Sequence, residues 1–429
     1  MQSNRTLAPV CTALATIAMT LTLASAAWAQ STYKILHAFT NPADGQQLLN
    51  LVLDAAGDLY GTTYTGGAYG YGTVFKLTPN PNGAWIETVI HSFSGPDGYW
   101  PQGNLVFDAA GNLYGATQYG GDPGITCEWG YSYGCGTVFK IAQNPDRSWT
   151  ESVLAAFEGG NGSSTDGWDL LGGLAFDTAG NLYGTTASGG SLRDGYGYGT
   201  VFELTPMSDG SWTRSTIHVF DATDGWYPWG TTPIMDAAGD LYGTTSYGGA
   251  AGCATGQGCG VVWEMMPNPD GSWAEKVLHK FQSTGNEGAN PSCWLVLDAA
   301  GNLYGTTFYG GAFGYGNVFE LMPSPSGAWT EKVLHQFAGG KDGANPFAGL
   351  TFDAVGNLYG TATAGGTHGY GVVFELSPKS GGWSERILHA FQGEGQSPYP
   401  GVILDSAGNL YGSTWAGNGN GGIVFEITP

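Results

Sequence analysis

The chain has 429 residues with 35 acidic and 13 basic side chains, and its net charge of −22 argues against nucleic acid or an anionic membrane as the main partner. Hydrophobic residues make up 42% and aromatic residues 13% of the chain, a composition that excludes intrinsic disorder. Its 74 glycines follow no Gly-X-Y period, which excludes collagen. Together with many Thr, Tyr, Val and Phe residues, they indicate short strands joined by tight turns.

The first 29 residues have the pattern of a signal peptide. Arg5 precedes an apolar segment over residues 7 to about 24, and Ala27-Trp28-Ala29 offers a small-x-small cleavage site. The alternative is a membrane anchor, although no second segment is apolar enough to span a bilayer. We therefore predict that residues 1–29 are removed and that residues 30–429 form one domain. That domain is expected to be secreted or extracytoplasmic.

The phrase Asp-x-x-Gly-Asn/Asp-Leu-Tyr-Gly is an internal repeat. It begins at Asp54, Asp108, Asp177, Asp236, Asp298, Asp353 and Asp405. Each copy is followed by a Gly-rich turn and an apolar run such as Val74-Phe75-Lys76, and six copies continue into a run that opens with Trp and ends with Phe. Such self-similarity is the signature of a repeat architecture.

Each repeat has the pattern of four strands, which we name a to d. Strand a is the apolar run before the Asp, and the Asp-x-x-Gly-Asn phrase forms the turn into strand b, Leu-Tyr-Gly-Thr-Thr. Strand c is the Val-Phe run, and strand d runs from Trp to Phe. Four short antiparallel strands repeated seven times predict an all-β, seven-bladed β-propeller, in which radial packing hides the sheet edges.

The two ends of the array complement each other. A lone strand d lies at residues 33–39, and the sequence finishes with a lone a-b-c unit, so we predict that the N-terminal strand completes the last blade. Opposite charges on neighbouring strands c and d support this arrangement. The expected pairs are Lys76–Glu87, Lys140–Glu151, Glu203–Arg214, Glu264–Lys276, Glu320–Lys332, Glu375–Arg386 and, across the closure, Glu426–Lys34.

Five cysteines follow the predicted signal peptide. Cys127 and Cys135 bracket one short Gly-rich insertion and Cys253 and Cys259 bracket another, which predicts two local disulfides in an exported chain. Cys293 is left over. Zinc binding is the alternative, but no Cys-x-x-Cys motif or nearby His supports it.

The combined phrase Asp-x-x-Gly-Asn-Leu-Tyr-Gly-Thr-Thr, Gly-Gly and Gly-Thr-Val-Phe resembles the Gloeo/Verruco (GloVer) tandem repeat of bacterial exported proteins. That group is described as choice-of-anchor, because its members carry differing surface-anchoring tails. The resemblance covers residues 33–429 and implies an exported repeat protein, with no catalytic residues. This sequence departs from the group in having no anchor segment after Pro429, which favours free secretion. A more distant likeness to lactonase-like and lyase-like propellers is confined to the Asp-x-x-Gly-Asn turn.

Histidine is the first candidate for catalysis. Six of the seven histidines occupy one position in strand d: His37, His91, His218, His279, His335 and His389. A residue that recurs in nearly every blade is typical of structure, so we expect the imidazole to pack between blades with one nitrogen hydrogen-bonded. No Ser-His-Asp set, nucleotide loop or paired metal His is recognisable, and no catalytic residue is assigned.

Acidic residues recur in the connections from strand d to the next strand a. All seven connections contain an acid followed by Gly. A ring of carboxylates near the mouth of the central channel would attract cations, with calcium as the candidate cofactor. The candidate metal ligands are Asp97, Asp166, Asp224 and Asp342. The alternative is turn chemistry, in which these carboxylates accept hydrogen bonds from the backbone.

The same face is expected to carry many aromatic side chains. Unlike the core positions, these vary from blade to blade, and varied loops on a rigid scaffold are where binding usually resides. The candidate ligand-binding residues are Tyr71, Trp100, Tyr198, Trp226, Trp229, Tyr315 and Tyr370. Tyr and Trp beside carboxylates suit sugar rings; the alternative is that these side chains cap the core.

The sequence therefore predicts a non-catalytic, monomeric, exported binding or scaffold protein. The expected partner is an extracellular polysaccharide or a surface protein. The alternative function is a metal-dependent propeller enzyme, lyase or lactonase-like, that uses the acidic loop face. An enzyme requires polar groups that converge asymmetrically in one place, whereas this sequence is nearly symmetric.

Overall fold

The computed structural model describes residues 31–125, 127, 134–159, 166–190, 197–249, 253, 256–282, 284–417, 419 and 421–429. Within them the chain forms seven four-stranded antiparallel sheets, each a blade with its strands in the order a-b-c-d. The predicted all-β, seven-bladed propeller is confirmed. The predicted signal peptide lies outside the described residues. No helix among the described residues has the length and apolar character needed to cross a membrane.

The strands of each blade, in the order a to d, have the following bounds. They are Gln46–Leu53, Leu59–Thr65, Thr73–Pro79 and Trp85–Ser92 in blade 1; Tyr99–Phe107, Leu113–Tyr119, Thr137–Gln143 and Trp149–Ala156 in blade 2; Ala175–Phe176, Leu182–Thr186, Thr200–Pro206 and Trp212–Val219 in blade 3; Ile234–Met235, Leu241–Thr245, Val261–Pro267 and Trp273–Lys280 in blade 4; Val296–Leu297, Leu303–Thr307, Asn317–Pro323 and Trp329–Gln336 in blade 5; Thr351–Phe352, Leu358–Ala362, Val372–Lys379 and Gly382–Ala390 in blade 6; and Val402–Leu404, Leu410–Ser413, Ile423–Thr428 and Thr32–Ala38 in blade 7. Two short ribbons, Gly167–Trp168 with Ser188–Gly189 and Gly288–Ala289 with Tyr309–Gly310, extend blades 3 and 5.

The N-terminal strand closes the ring as predicted. Thr32–Ala38 pairs antiparallel with Ile423–Thr428, with Tyr33 opposite Ile427 and Lys34 opposite Glu426. Blade 7 therefore joins the two ends of the array, and the strand edge that an open array would leave is paired.

The Asp-x-x-Gly-Asn phrase is an Asx-type turn in every blade. In blade 1, Asp54 Oδ1 accepts hydrogen bonds from the backbone N–H groups of Ala56 and Asp58, each at 2.9 Å. The other oxygen accepts a hydrogen bond from the Tyr60 hydroxyl at 3.2 Å. These bonds tie the turn to strand b and satisfy the carboxylate locally.

The core lies between neighbouring blades. The aromatic residue of strand c is fully buried. In blade 1 this residue is Phe75, and its ring lies 4.9 Å from the ring of Phe39, which follows strand d of blade 7. Gly61 of strand b makes room for this ring, because a Cβ at that position would lie 2.6 Å from Phe75 Cζ. The Gly of the Leu-Tyr-Gly segment and the Phe of the Val-Phe segment therefore fit each other in close packing, which explains why the two segments recur together.

Strand d contains a β-bulge beside its His. In blade 1, Phe75 lies opposite Val89 whereas Val74 lies opposite His91, so strand d has one extra residue. Because side chains alternate between faces, the bulge places His91 on the opposite face of the sheet from Glu87. The same shift occurs in the other six blades. A blade that carries the strand d acid thus directs it toward the preceding blade, and a blade that carries the His directs it toward the next.

This register corrects part of the predicted charge pattern. Glu264–Lys276, Glu320–Lys332 and Glu375–Arg386 are ion pairs, as expected. The pairs predicted for Lys76, Lys140 and Arg214 are wrong. Lys140 lies opposite Ser152 rather than Glu151. Lys76 lies opposite Thr88 and binds Asp58 at 2.6 Å. Arg214 lies opposite Leu204 and binds Asp166.

Both predicted disulfides are present. Cys127 is bonded to Cys135 and Cys253 to Cys259, and each bridge closes a short loop between strands b and c. Cys293 is a buried free thiol whose Sγ lies 3.3 Å from the carbonyl oxygen of Thr306. Burial raises the pKa of this thiol to about 11, so it is protonated and inert near neutral pH.

Candidate functional site

Every blade contributes one residue with a left-handed backbone to the same face of the propeller. It stands three positions after the acid of the d-to-a connection, with φ between 49° and 68°. The seven residues are Gln47, Trp100, Asp169, Tyr227, Asn290, Asn345 and Ser397. This conformation is costly for side chains other than Gly and persists only where the surroundings enforce it.

Two backbone hydrogen bonds enforce this conformation. Tyr227 donates its N–H to the carbonyl of Tyr198 in the b–c turn of the preceding blade, at 3.0 Å. Its own carbonyl accepts from the N–H of Ser246, at the end of strand b, also at 3.0 Å. Ser397 is held in the same way by Tyr370 and Trp415. The backbone is therefore uniform around the ring, while the side chain is free to differ in each blade.

The side chains that follow these residues converge on the propeller axis. A cavity of about 30 Å³ is lined by residues from all seven blades, which identifies it as the central channel. The residues that fill the channel include Leu49, Gln102, Leu171, Trp229, Trp294, Phe347 and Tyr399. The channel is thus nearly closed by large side chains.

A larger pocket, the mouth pocket, opens directly above this plug and shares several residues with it. Its volume is about 400 Å³. Five aromatic side chains form its walls: Tyr64, Tyr227, Trp229, Tyr399 and Trp415. They come from blades 1, 4 and 7, so the pocket is asymmetric although the scaffold is a repeat.

The aromatic walls form a continuous arc. The rings of Tyr64 and Trp415 lie 5.4 Å apart, those of Trp415 and Tyr399 5.9 Å, and those of Tyr399 and Trp229 6.5 Å. Trp100 stacks behind Tyr64 at 5.1 Å. Packing of this kind holds each ring in place and leaves a rigid apolar surface facing the pocket.

Amide groups supply the polar part of the pocket. Gln102 and Gln118 line it together with Ser397. The Tyr64 hydroxyl donates a hydrogen bond to Gln118 Oε1 at 3.2 Å, and Gln118 Nε2 donates to Asp169 Oδ1 at 2.7 Å. The chain of hydrogen bonds therefore orients Gln118 beside the aromatic arc.

Asp169 is the carboxyl group behind this network. Only 6% of the residue is exposed, and burial raises its pKa to about 6, although the hydrogen bond from Gln118 acts in the other direction. Burial, with a contribution from the charge of Asp169, also raises the pKa of Tyr227. A carboxyl group with this pKa changes its charge close to neutral pH.

The seven predicted ligand-binding residues do not lie in one place. Trp229 lines the mouth pocket, and Trp100 supports it from behind. Trp226 packs edge-on against Tyr198 at 5.5 Å, and Tyr71 packs against Tyr99. Tyr315 and Tyr370 are exposed at 44% and 38%, and their carbonyls bind the left-handed residues of the next blade.

Sequence reasoning missed most of the pocket. Tyr64, Gln118 and Trp415 each follow the Leu-Tyr-Gly-Thr-Thr phrase or its variant directly, at a position that differs in every blade. This variation beside a constant phrase was the available signal. Asp169 and Tyr227 occupy the left-handed position three residues after the loop acid, and the acid-Gly pair that precedes it was the available signal.

The four predicted metal ligands do not form a ring at the channel mouth. They lie at blade interfaces beside strand d, the sheet edge opposite the channel. Asp97 Oδ2 is 3.0 Å from His91 Nε2, and Asp224 Oδ2 is 3.1 Å from His218 Nε2. Asp342 lies beside His335, and Asp166 binds Arg214. The bulge in strand d explains this placement, because it turns each His toward the connection that carries the acid.

Each His and acid meets a strand d residue of the next blade, and we call the three residues an interface triad. Five triads contain a His, a loop acid and a Glu: His37–Asp44–Glu87, His91–Asp97–Glu151, His218–Asp224–Glu275, His279–Glu287–Glu331 and His335–Asp342–Glu385. Burial raises the pKa of Glu151 and Glu331 to about 7 and that of Glu385 to about 8. Burial also lowers the pKa of His279 to about 4.

Two interfaces depart from this pattern. Between blades 2 and 3, Ala155 replaces the His and Arg214 replaces the Glu, and Arg214 binds Asp166. Between blades 6 and 7, Tyr33 replaces the Glu and stacks on His389 with the ring centroids 3.6 Å apart. Between blades 2 and 3 both positions are therefore substituted together, whereas between blades 6 and 7 only the Glu is replaced.

The sequence profile of the Gloeobacter/Verrucomicrobia repeat matches residues 21–127, 123–324 and 254–429. The chain belongs to this family. No curated protein matches the chain.

Solved propellers are similar in fold. The extracellular domain of a protein described as a one-component system from B. thetaiotaomicron is 11% identical, with a TM-score of 0.50, over 92% of this chain. This chain spans 40% of the length of that one. A protein described as a 6-phosphogluconolactonase from Bacteroides uniformis is 14% identical with a TM-score of 0.49, over 83% of this chain and 88% of its own. At these identities the likeness concerns the fold alone.

Proposed function

We propose that this member of the Gloeobacter/Verrucomicrobia repeat family is an exported carbohydrate-binding propeller that holds its ligand in the mouth pocket. The observation that carries the proposal is the asymmetric arc of Tyr64, Trp415, Tyr399 and Trp229 with the amides of Gln102 and Gln118 beside it. The flat apolar faces of sugar rings suit aromatic walls, and their hydroxyls suit fixed amides. Known small-molecule pockets measure about 300–1,000 Å³, a range that includes the 400 Å³ observed here.

The two disulfides support export, because such bonds persist in oxidising compartments. The predicted signal peptide supports the same location. A surface protein is the other class of partner that the sequence suggested. The mouth pocket favours the carbohydrate, since it is a concave site of small-ligand size rather than a broad flat surface.

The test is a thermal-shift and calorimetry screen of the purified chain against soluble polysaccharides and their oligosaccharides. A ligand that binds only the folded state raises the melting temperature. Trp229→Ala and Trp415→Ala are expected to weaken binding at least tenfold. Tyr315→Ala is the matched control, because Tyr315 is an exposed aromatic on the same face outside the pocket. The proposal fails if no carbohydrate binds, or if the control variant loses as much affinity as the two pocket variants.

A propeller hydrolase or lyase is the second candidate, and Asp169 is the observation that favours it. Its pKa of about 6 suits a general acid or base near neutral pH, and Gln118 connects it to the pocket. A bound carbohydrate that is cleaved by the wild type and remains intact with Asp169→Asn would identify an enzyme. Binding without cleavage by either protein would identify a binding module.

A further inference from the structure

We propose that three of the interface triads are binding sites for a divalent transition-metal ion of the Zn²⁺ class. They are His91–Asp97–Glu151, His279–Glu287–Glu331 and His335–Asp342–Glu385. In each, one imidazole nitrogen and two carboxylate oxygens lie within 4.8 Å of one another. Each site joins two blades, so the bound ion would fasten the outer strands of neighbouring blades. This inference is independent of the mouth pocket.

Several distances between the metal-ligating atoms are close to those of a tetrahedral site, and the distance from His335 Nε2 to Asp342 Oδ2 is longer, at 3.9 Å. His91 Nε2 lies 3.0 Å from Asp97 Oδ2, and His335 Nε2 lies 3.4 Å from Glu385 Oε1. Bond lengths of about 2.0–2.2 Å to Zn²⁺ place neighbouring ligands about 3.4 Å apart in a tetrahedron. Three protein ligands leave the fourth position to water.

The triads contain potential metal-ligating atoms that are buried from solvent and make no hydrogen bond. Oε1 of Glu331 and of Glu385 are such atoms, and so are Nε2 of His279 and of His335. His279 Nε2 lies 2.9 Å from Glu287 Oε1, but without hydrogen-bond geometry. Buried polar atoms are costly to leave unpaired, and a metal ion at the centre of each triad would satisfy them together.

The interface between blades 2 and 3 shows that this place accepts a cation. There the chain lacks the His and the Glu, and the guanidinium of Arg214 binds Asp166 directly. It also lies over the ring of Phe157, with 4.3 Å from Arg214 Cζ to the ring centroid. The three triads have a second carboxylate where Arg214 stands, so they lack this built-in cation and leave room for an external one.

The combination of one imidazole and two carboxylates favours Zn²⁺ over calcium. Calcium prefers six to eight oxygen ligands, whereas imidazole together with carboxylates suits Zn²⁺ and its neighbours. An ion can also reach the site from solvent. The side chains of His335, Asp342 and Glu385 are 18%, 25% and 15% exposed.

The experiment measures zinc bound per chain after removal of metal with a chelator, by equilibrium dialysis and elemental analysis. The wild type is expected to bind three equivalents. Glu331→Gln is expected to bind two, and the triple variant Glu151→Gln, Glu331→Gln and Glu385→Gln none. Glu275→Gln, at an interface outside the three sites, is the matched control and is expected to retain three. Zinc is expected to raise the melting temperature of the wild type and not that of the triple variant.

A second variant keeps the test decisive if the Glu→Gln variants fail to fold. His279→Ala combined with Glu331→Arg copies the natural arrangement of Ala155 and Arg214, so it is expected to fold and to bind two equivalents. Zinc uptake below one equivalent by the wild type overturns the proposal. Equal uptake by the wild type and the triple variant also overturns it, because the zinc would then lie elsewhere.

Discussion

Arg214 of blade 3 binds Asp166 of the preceding connection, at the one described interface where the strand d His is replaced by Ala155. Elsewhere that interface position holds a Glu or, in one case, Tyr33 facing a His. The loss of a His in one blade therefore accompanies a reversal of charge in the next. We therefore expect the triad to behave as a unit built from two blades.

Arg214→Glu is expected to destabilise the protein. The variant places two carboxylates together without an imidazole, and removing one member of a buried ion pair leaves an uncompensated charge. We expect a loss of about 2–4 kcal/mol in the free energy of unfolding, measured by urea denaturation. Adding Ala155→His rebuilds the common triad and is expected to restore most of the loss. Failure of this second substitution to restore stability would show that the triad is not a unit.

Asp169 is expected to make stability depend on pH. Its folded pKa of about 6 lies above the ordinary value of 3.8, so the folded state holds the proton more tightly than the unfolded state. Stability from this group is complete below pH 3.8 and is lost as pH rises through 6. The pKa of Tyr227, the titratable group coupled to it, is raised, so that hydroxyl keeps its proton over this range.

The measurement compares the wild type with Asp169→Asn by urea denaturation at several pH values. The difference between the two proteins isolates Asp169, because the other titrating groups are common to both. The wild type is expected to lose about 2–3 kcal/mol relative to the variant between pH 4 and pH 7. A constant difference across this range would contradict the prediction.

Asn345 is a suitable position to measure the energetic cost of the left-handed backbone, because its φ is 57°. Its Nδ2 also donates a hydrogen bond to the carbonyl of Phe308 at 2.9 Å. Asn345→Gly removes the hydrogen bond but accepts this backbone. Asn345→Ala removes the bond and strains the backbone as well. We expect the Ala variant to be less stable than the Gly variant by about 1–2 kcal/mol in urea denaturation. Equal stabilities would mean that the position carries no strain.

Gly61→Ala tests the packing of strand b on strand c. The new Cβ would lie 2.6 Å from Phe75 Cζ and 2.8 Å from Leu51 Cδ2, so the core must shift. We expect a loss of about 1–3 kcal/mol in the free energy of unfolding. Phe75→Leu in the same chain removes the closest contact and is expected to recover part of that loss. Independent, additive effects of the two substitutions would argue against direct contact.

The sequence by itself determined the repeat, the turns and the ring closure. The Asp-x-x-Gly-Asn turn forms from hydrogen bonds within a few residues, as at Asp54, so its geometry is local. The lone strand at residues 33–39 was complementary to the unfinished last repeat, and Lys34 lies opposite Glu426 as that pattern required. Both disulfides followed from short spacing.

Only the tertiary structure decided which side chains meet. The bulge beside each His shifts the register by one residue, which turns Glu87 and His91 to opposite faces and gathers the acids at blade interfaces instead of at the channel. The sequence does not reveal such a bulge, because one extra residue in a strand does not change the types of residue that the strand contains. Likewise, Tyr64, Trp229 and Trp415 are distant in sequence and become one pocket because the blades converge on an axis.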